Sequence, residues 1–458
     1  MYVEQIYTGC LAQASYYIES NGEAAVIDPI REPEPYLRLA EKRGAKIKFV
    51  FETHFHADFV SGHLDLADKT NAVIVFGPFA FPAYPAYIAN HNEPFMVGKC
   101  TIKLLHTPGH TIESSCFLLL DEIGKEKAVF TGDTLFVGDV GRPDLMSGNK
   151  SKTELASMLF DSLNDVIKKL PDDVLVYPGH GAGSACGKNL GIERYSTIGE
   201  QKKLNYALQP IDRNDFIIAV TENPATPPIY FFRDASINII GYRNLDVVIS
   251  ENYKGLTIND FQNEINNGSI ILDTRDAKTF SQDFIKGSIN IGLKGEFAPW
   301  VGTLIDIDKE IILVTEPGAE MEAITRLARI GYENVKGYLE GGFKTWSAAG
   351  LPVNFIENIE AEDFYFLNDN IEYTPIDVRR YAETKKEHIK RAIILPLEDL
   401  PKYFSEFDKE KNYVLFCKGG YRSMIAASIL KSHGINNITN VSGGIEKIKI
   451  CNPELIFA

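Results

Sequence analysis

The chain has 458 residues, enough for roughly two to four domains of ordinary size, each able to bury its own core. Its 62 Asp and Glu outnumber its 47 Lys and Arg to give a net charge of −15, which repels phosphate backbones and anionic lipid, so nucleic acid and membranes are excluded as partners. The longest uncharged run, Ala72 to Ala89, carries Pro78, Pro82 and Pro85 and is no membrane span. Residues 1–20 lack Lys and Arg, so no basic presequence is expected, and six scattered cysteines read as reduced thiols of a cytoplasmic protein.

From Met1 to about Ser250 short β-rich runs alternate with helical ones. Tyr2–Tyr7 and Ala14–Ile18 read as strands, and Asn21-Gly22-Glu23 is a hairpin signal. Ala25–Asp28 reads as a buried strand ending in a polar tip, and Glu34–Arg43 has helical spacing that stops at Gly44. A strand follows at Ile47–Phe51, then a helix after Gly62 and a strand at Ala72–Phe76. Cys100–Leu105 leads toward His110, and the hairpin of Cys116–Leu120 with Ala128–Phe130 leads toward Asp133. Residues 221–228, Thr-Glu-Asn-Pro-Ala-Thr-Pro-Pro, read as a loop or linker.

Chemistry-bearing residues fall just past these strands: Thr53-His54-Phe55-His56-Ala57-Asp58-Phe59, Thr107-Pro108-Gly109-His110, Phe130-Thr131-Gly132-Asp133 and Tyr177-Pro178-Gly179-His180. Loops on a rigid scaffold place catalytic groups in that way, and His with Asp is a metal-ligand set. The bland alternative for any one of them is a strand cap; four pieces together favour the metal. His63, His91 and His106 keep the structural reading.

This series resembles the metallo-β-lactamase superfamily, whose usual motif is His-x-His-x-Asp-His. Phe59 stands at the last position, and a phenyl ring has no lone pair for a second metal ion. The pattern resembles persulfide dioxygenases of that superfamily, in particular those fused to rhodanese domains. The resemblance implies one Fe(II) per chain on His54, His110 and Asp133, with positions open for a persulfide sulfur and O2. Zinc is the alternative metal. His56, Asp58 and His180 are then outer groups or extra ligands; if His56 binds metal, the three-residue set is wrong.

Arg142, in Gly141-Arg142-Pro143-Asp144, resembles the arginine by which glutathione-linked members hold a carboxylate, and Tyr177 a tyrosine near the same thiol. The competing readings are a loop salt bridge for Arg142 and a core aromatic for Tyr177. Cys186 lies in Gly181-Ala182-Gly183-Ser184-Ala185-Cys186. It is either a secondary thiol that receives sulfur near the metal or, as the preferred reading, a small filler.

Beyond Gly255 the chain repeats itself. Ile271-Leu272-Asp273-Thr274-Arg275 returns as Pro375-Ile376-Asp377-Val378-Arg379, and Leu339-Glu340-Gly341-Gly342 as Val441-Ser442-Gly443-Gly444. Strand and helix alternate in each copy, as in a parallel sheet flanked by helices. The repeats resemble rhodaneses. Cys417-Lys418-Gly419-Gly420-Tyr421-Arg422-Ser423 matches the active loop, with Cys417 as the sulfur carrier, Arg422 as its catalytic cation and Lys418, Gly419, Gly420, Tyr421 and Ser423 around the substrate. The first copy reads Thr315-Glu316-Pro317-Gly318-Ala319-Glu320 there, and no cysteine lies between Cys186 and Cys417.

The implied architecture is α/β: an N-terminal metallo-β-lactamase αββα sandwich over 1–250, an inactive rhodanese-like domain over 251–356 and a rhodanese domain over 357–458, both with parallel sheets. The implied function is iron- and O2-dependent oxidation of a low-molecular-weight thiol persulfide, of glutathione, coenzyme A or a similar thiol. It yields sulfite and is coupled to sulfur transfer that makes or consumes thiosulfate at Cys417. A homo-oligomer is expected, since such fusions are commonly oligomeric. Two alternatives stand: a glyoxalase II-like thioester hydrolase with a rhodanese appendage, and a non-catalytic sulfur carrier.

Overall fold

The computed structural model describes residues 1–145, 150–222 and 227–457; part of the proline-rich stretch, 223–226, lies outside them. The chain divides into two compact units, Met1–Val248 with Ala328–Gly331, and Ile249–Leu327 with Tyr332–Ala458. No helix among the described residues is long and apolar enough to cross a membrane.

The first unit is built on two six-stranded sheets. One runs, in spatial order, Tyr2–Thr8, Gln13–Ser20, Glu23–Ile27, Lys46–Phe51, Val73–Phe76 and Tyr87–Ile88. The other runs Ser196–Thr197, Leu175–Pro178, Glu126–Gly132, Ser115–Leu120, Cys100–His106 and Pro94–Val97. Gln13–Ser20 is buried along its whole length because its alternate residues serve two cores. Tyr16 and Ile18 face Ile102, Leu104, Phe117 and Phe130 between the sheets. Tyr17 faces outward with Tyr36 and Ala40 of the helix Glu34–Arg43 and Leu66 of the helix His63–Thr70. The outer face of the second sheet is covered by Ala156, Leu159 and Leu163 of Lys152–Asp165 and by Phe216 of Arg213–Thr221. Helix, sheet, sheet, helix is therefore the layer order.

Local sequence accounts for several of these elements. Asn21 and Gly22, with φ of 51° and 80°, form the two-residue turn between Gln13–Ser20 and Glu23–Ile27, and both positive values match the twist of a hairpin. The helix Glu34–Arg43 ends at Gly44 as its spacing predicts. Helix Lys152–Asp165 starts from a capping box in which Ser151 accepts from the Glu154 N–H.

The second unit contains the sequence repeat as two five-stranded sheets of one topology, with every pairing parallel. The first is ordered Gly255–Leu256, Val335–Leu339, Ile311–Val314, Ile270–Asp273, Ile289–Asn290. The second is ordered Glu357–Ile359, Ile438–Val441, Asn412–Phe416, Tyr373–Asp377, Ile393–Ile394. The Asp-x-Arg motif makes the same fork in each copy. Arg275 Nη2 donates to Asp273 Oδ2 at 2.7 Å and to the Asp283 carbonyl at 2.9 Å, and Arg379 Nη2 to Asp377 Oδ2 at 2.6 Å and the Glu387 carbonyl at 2.9 Å. These buried arginines tie the end of a strand to the following turn.

Candidate metal centre and thiol loop

The motif His54–Asp58 is a loop hung from the strand Lys46–Phe51 and fixed by its neighbour. Asp28 accepts from Thr53 N and Thr53 Oγ1, both at 2.8 Å. Since the Thr53 hydroxyl gives its proton to Asp28, its oxygen accepts from His54 Nδ1 at 3.0 Å. That leaves the Nε2 lone pair of His54 for the interior. Burial, and then the nearby imidazoles of His56, His110 and His180, hold His54 well below the ordinary histidine range, so the ring is neutral.

His110 follows the strand Cys100–His106, and its Nδ1–H donates to the Arg142 carbonyl at 2.8 Å, which also turns a lone pair on Nε2 inward. Asp133 follows Glu126–Gly132. Its Oδ2 lies 3.5 Å from His110 Nε2 and 4.0 Å from His54 Nε2. His180 follows Leu175–Pro178; with Nδ1 at 3.3 Å from the Ala12 carbonyl, its Nε2 comes within 3.6 Å of Asp133 Oδ1 and 3.4 Å of Asp58 Oδ2.

Both Asp133 oxygens, Asp58 Oδ1 and His180 Nε2 are buried with no hydrogen-bond partner. Leaving such groups unpaired costs about 1–3 kcal/mol each, so the arrangement fits a resident cation. His54, His110 and Asp133 bring ligand atoms within 4.8 Å of one another, as do His56, Asp58 and His180. His56 Nε2, however, faces Asp28 Oδ1 at 3.2 Å and Glu52 Oε2 at 3.5 Å. Burial lowers its affinity for a proton, but Asp28, Glu52 and Asp58 outweigh burial and raise it to about 9. Phe59 is fully buried with its ring 4.4 Å from that of His56.

Cys186 joins Asp133 and His180 in a third such cluster, although the sequence favours a filler role. Burial, followed by the Asp58 and Asp133 carboxylates, pushes its thiol well above the usual range. Arg142 closes a two-bond fork on Asp144, Nε to Oδ1 and Nη2 to Oδ2, each 2.7 Å. Its guanidinium is thus engaged, and its Nη1 also donates to the Ala185 carbonyl at 3.4 Å. Tyr177 is half-buried and stacks on Phe130 at 5.3 Å. His63 packs between Tyr84 and Tyr242, with its Nδ1 3.5 Å from Glu52 Oε1.

One organiser of the metal loop escapes sequence reasoning. Asn238, on the helix Tyr230–Ile240, donates from Nδ2 to the carbonyls of His56 and Phe59, each at 2.8 Å, and accepts from Ser61 N at 2.9 Å. No local motif marks it.

In the second unit, Cys417 follows the strand Asn412–Phe416 and is buried at the start of the helix Tyr421–Ser432. Gly420 N donates to its sulfur at 3.1 Å and Ser423 Oγ at 3.5 Å. Backbone donors and a helix N-terminus suit a sulfur atom that accepts hydrogen bonds, such as the terminal sulfur of a persulfide. Arg422 forms a two-bond fork with Glu383 at 2.6 and 2.9 Å. Lys418 is exposed, 3.5 Å from Glu446, and Gly419 is exposed beside it. Tyr421 turns aside to donate to the Gly292 carbonyl at 2.8 Å. At the matching place in the first repeat stands buried Thr315, and Glu320 Oε2 accepts from Gly318 N at 2.9 Å, so a carboxylate already fills that turn.

Residues 8–180 match the metallo-β-lactamase superfamily, and residues 257–349 and 360–451 each match the rhodanese-like domain. The solved structure of a metallo-β-lactamase from Staphylococcus aureus subsp. aureus COL is 35% identical and covers 74% of this chain and 98% of that one, with a TM-score of 0.66. The structure of ETHE1 from Myxococcus xanthus is 29% identical, covers 52% of this chain and 98% of that one, and has a TM-score of 0.45. A probable hydroxyacylglutathione hydrolase, glo2, of Schizosaccharomyces pombe is 33% identical over 205 residues, which are 40% of this chain and 75% of that protein. The chain belongs to the metallo-β-lactamase superfamily and carries two rhodanese-like domains in tandem.

Proposed function

We propose that this protein is a bifunctional sulfur enzyme. In this reading residues 1–250 oxidise a low-molecular-weight thiol persulfide, 357–458 transfer sulfane sulfur, and 251–356 form a rhodanese-like domain without sulfur chemistry of its own. The observation that carries the reading is Phe59, buried and donor-free where a two-metal hydrolase needs a histidine. Fe(II) on His54, His110 and Asp133 would supply electrons to O2 and open positions for substrate.

The balanced reaction is RSSH + O2 + H2O giving RSH and sulfurous acid. The terminal sulfur loses four electrons, O2 gains four, and the S–S bond breaks with the thiol as leaving group. The chain's own part is to hold the ligand lone pairs inward through Thr53 and the Arg142 carbonyl and to keep the site dry. In this reading His180 and Asp58, 3.4 Å apart, take the persulfide's proton. At Cys417, a persulfide sulfur passes to sulfite: its S–S bond breaks, thiosulfate forms, and the electron pair returns to Cys417 as thiolate, or the reverse.

The thioester-hydrolase reading is favoured by the S. pombe relative named as a hydroxyacylglutathione hydrolase and by the second cluster of ligand atoms on His56, Asp58 and His180. Protein loaded with Fe(II) and, separately, with Zn(II) distinguishes the two. O2 uptake on glutathione persulfide by the iron form alone supports the proposal, and thiol release from S-lactoylglutathione without O2 overturns it.

A further inference from the structure

The loop after His180 leaves the metal centre and returns to it. Gly181 N donates to the Ala12 carbonyl at 2.9 Å, Cys186 lies in the cluster with Asp133 and His180, and Arg194 ends the excursion before the strand Ser196–Thr197. Both ends meet one side chain. A Cβ on Gly181 would stand 2.7 Å from Tyr7 Oη, and the Arg194 guanidinium carbon sits 4.2 Å over the Tyr7 ring.

Gln5 Nε2 fixes this end by donating to the Arg194 carbonyl at 2.9 Å. Tyr195 places its ring 6.1 Å from that of Tyr177. Arg194 is exposed, and among the described residues no carboxylate pairs with it and Tyr7 Oη makes no hydrogen bond. Arg142, by contrast, has its fork closed on Asp144. In a chain of net charge −15, a guanidinium without a carboxylate partner stands one aromatic ring away from His180-Gly181.

We propose that Arg194 and Tyr7 form a subsite that holds the anionic arm, carboxylate or phosphate, of the thiol that carries the persulfide. The guanidinium takes two oxygens of the anion, and the phenol adds a third donor. This rests on the reading that the metal centre acts on a small thiol persulfide.

The test uses iron-loaded full-length protein and three persulfides: of glutathione, which carries carboxylates, of coenzyme A, which carries phosphates, and of 2-mercaptoethanol, which carries neither. Arg194→Ala is expected to raise KM about 10-fold or more for an anionic carrier with kcat within about twofold, and to leave KM for the 2-mercaptoethanol persulfide unchanged. Arg194→Lys should recover part of the loss, and Tyr7→Phe should cost about threefold in KM. Whichever anionic carrier suffers more identifies the arm. Equal changes for all three persulfides, or none, would overturn the subsite. Calorimetric binding of S-methylglutathione and of coenzyme A needs no turnover. Should O2 uptake fail for every persulfide, an affinity loss of about 10-fold in Arg194→Ala for either ligand keeps the subsite and sinks the dioxygenase reading. Unchanged binding of both ligands sinks the subsite.

Discussion

His110 Nδ1 lies 2.8 Å from the carbonyl oxygen of Arg142, and this one bond decides which nitrogen of His110 faces Asp133. Arg142 therefore acts on the metal centre through its backbone while its side chain is bound to Asp144. The preceding residue has to be small: a Cβ on Gly141 would stand 1.9 Å from the Asp133 carbonyl oxygen and 3.0 Å from His110 Nδ1.

Gly141→Ala should accordingly push the Arg142 peptide away from His110 and release the ring. Metal affinity is expected to fall about 10- to 100-fold, the usual effect of losing a group that orients a ligand. Metal retained after dialysis against a chelator series measures it, with circular dichroism to show that the fold persists. Unchanged retention would mean that His110 needs no such support.

Asn238→Ala removes the partners of two buried carbonyls, those of His56 and Phe59, and of Ser61 N. Uncompensated, this should cost about 3 kcal/mol and loosen the loop that carries His54. Urea unfolding of the variant checks the first expectation. Its metal content at fixed free metal checks the second.

That clamp shows where sequence reading stops. The Asn21-Gly22 turn, the end of the helix at Gly44 and the strand-end positions of His54, His110, Asp133 and His180 are local patterns, each with a steric or periodic cause. The rhodanese repeat is legible because Asp273 with Arg275 and Asp377 with Arg379 make the same fork two residues apart. Asn238 meets His56 across 182 positions of chain and Glu383 meets Arg422 across 39, so no spacing rule announces either. Cys186 reads as a filler because small residues surround it in sequence, whereas in space its neighbours are Asp133 and His180.

Asp65 gives a pH signature apart from the metal. Burial raises its carboxyl from 3.8 to about 6, against the opposing Leu245 N–H and Arg31. Between these values the folded chain binds more proton at Asp65 than the unfolded chain, so stability falls as pH rises, by up to ~3 kcal/mol in total. Asp65→Asn should lack that slope. The wild-type stability minus that of the variant, from urea unfolding between pH 4 and 7, should decline through this window and be flat above it.

Cys417→Ser keeps the size of the loop residue but removes the sulfur nucleophile. Thiosulfate formation from sulfite should drop to background, while O2 uptake on free glutathione persulfide should stay within about twofold of wild type. A parallel loss of O2 uptake would show that the two sites do not work separately.

The central claim is one iron atom oxidising a persulfide. The most direct test follows O2 and sulfite together in Cys417→Ser protein of known metal content, where sulfite is not drawn off as thiosulfate. The account predicts about one iron per chain and one sulfite formed for each O2 consumed. Stoichiometric zinc in active protein, or persulfide turnover that consumes no O2, would contradict it.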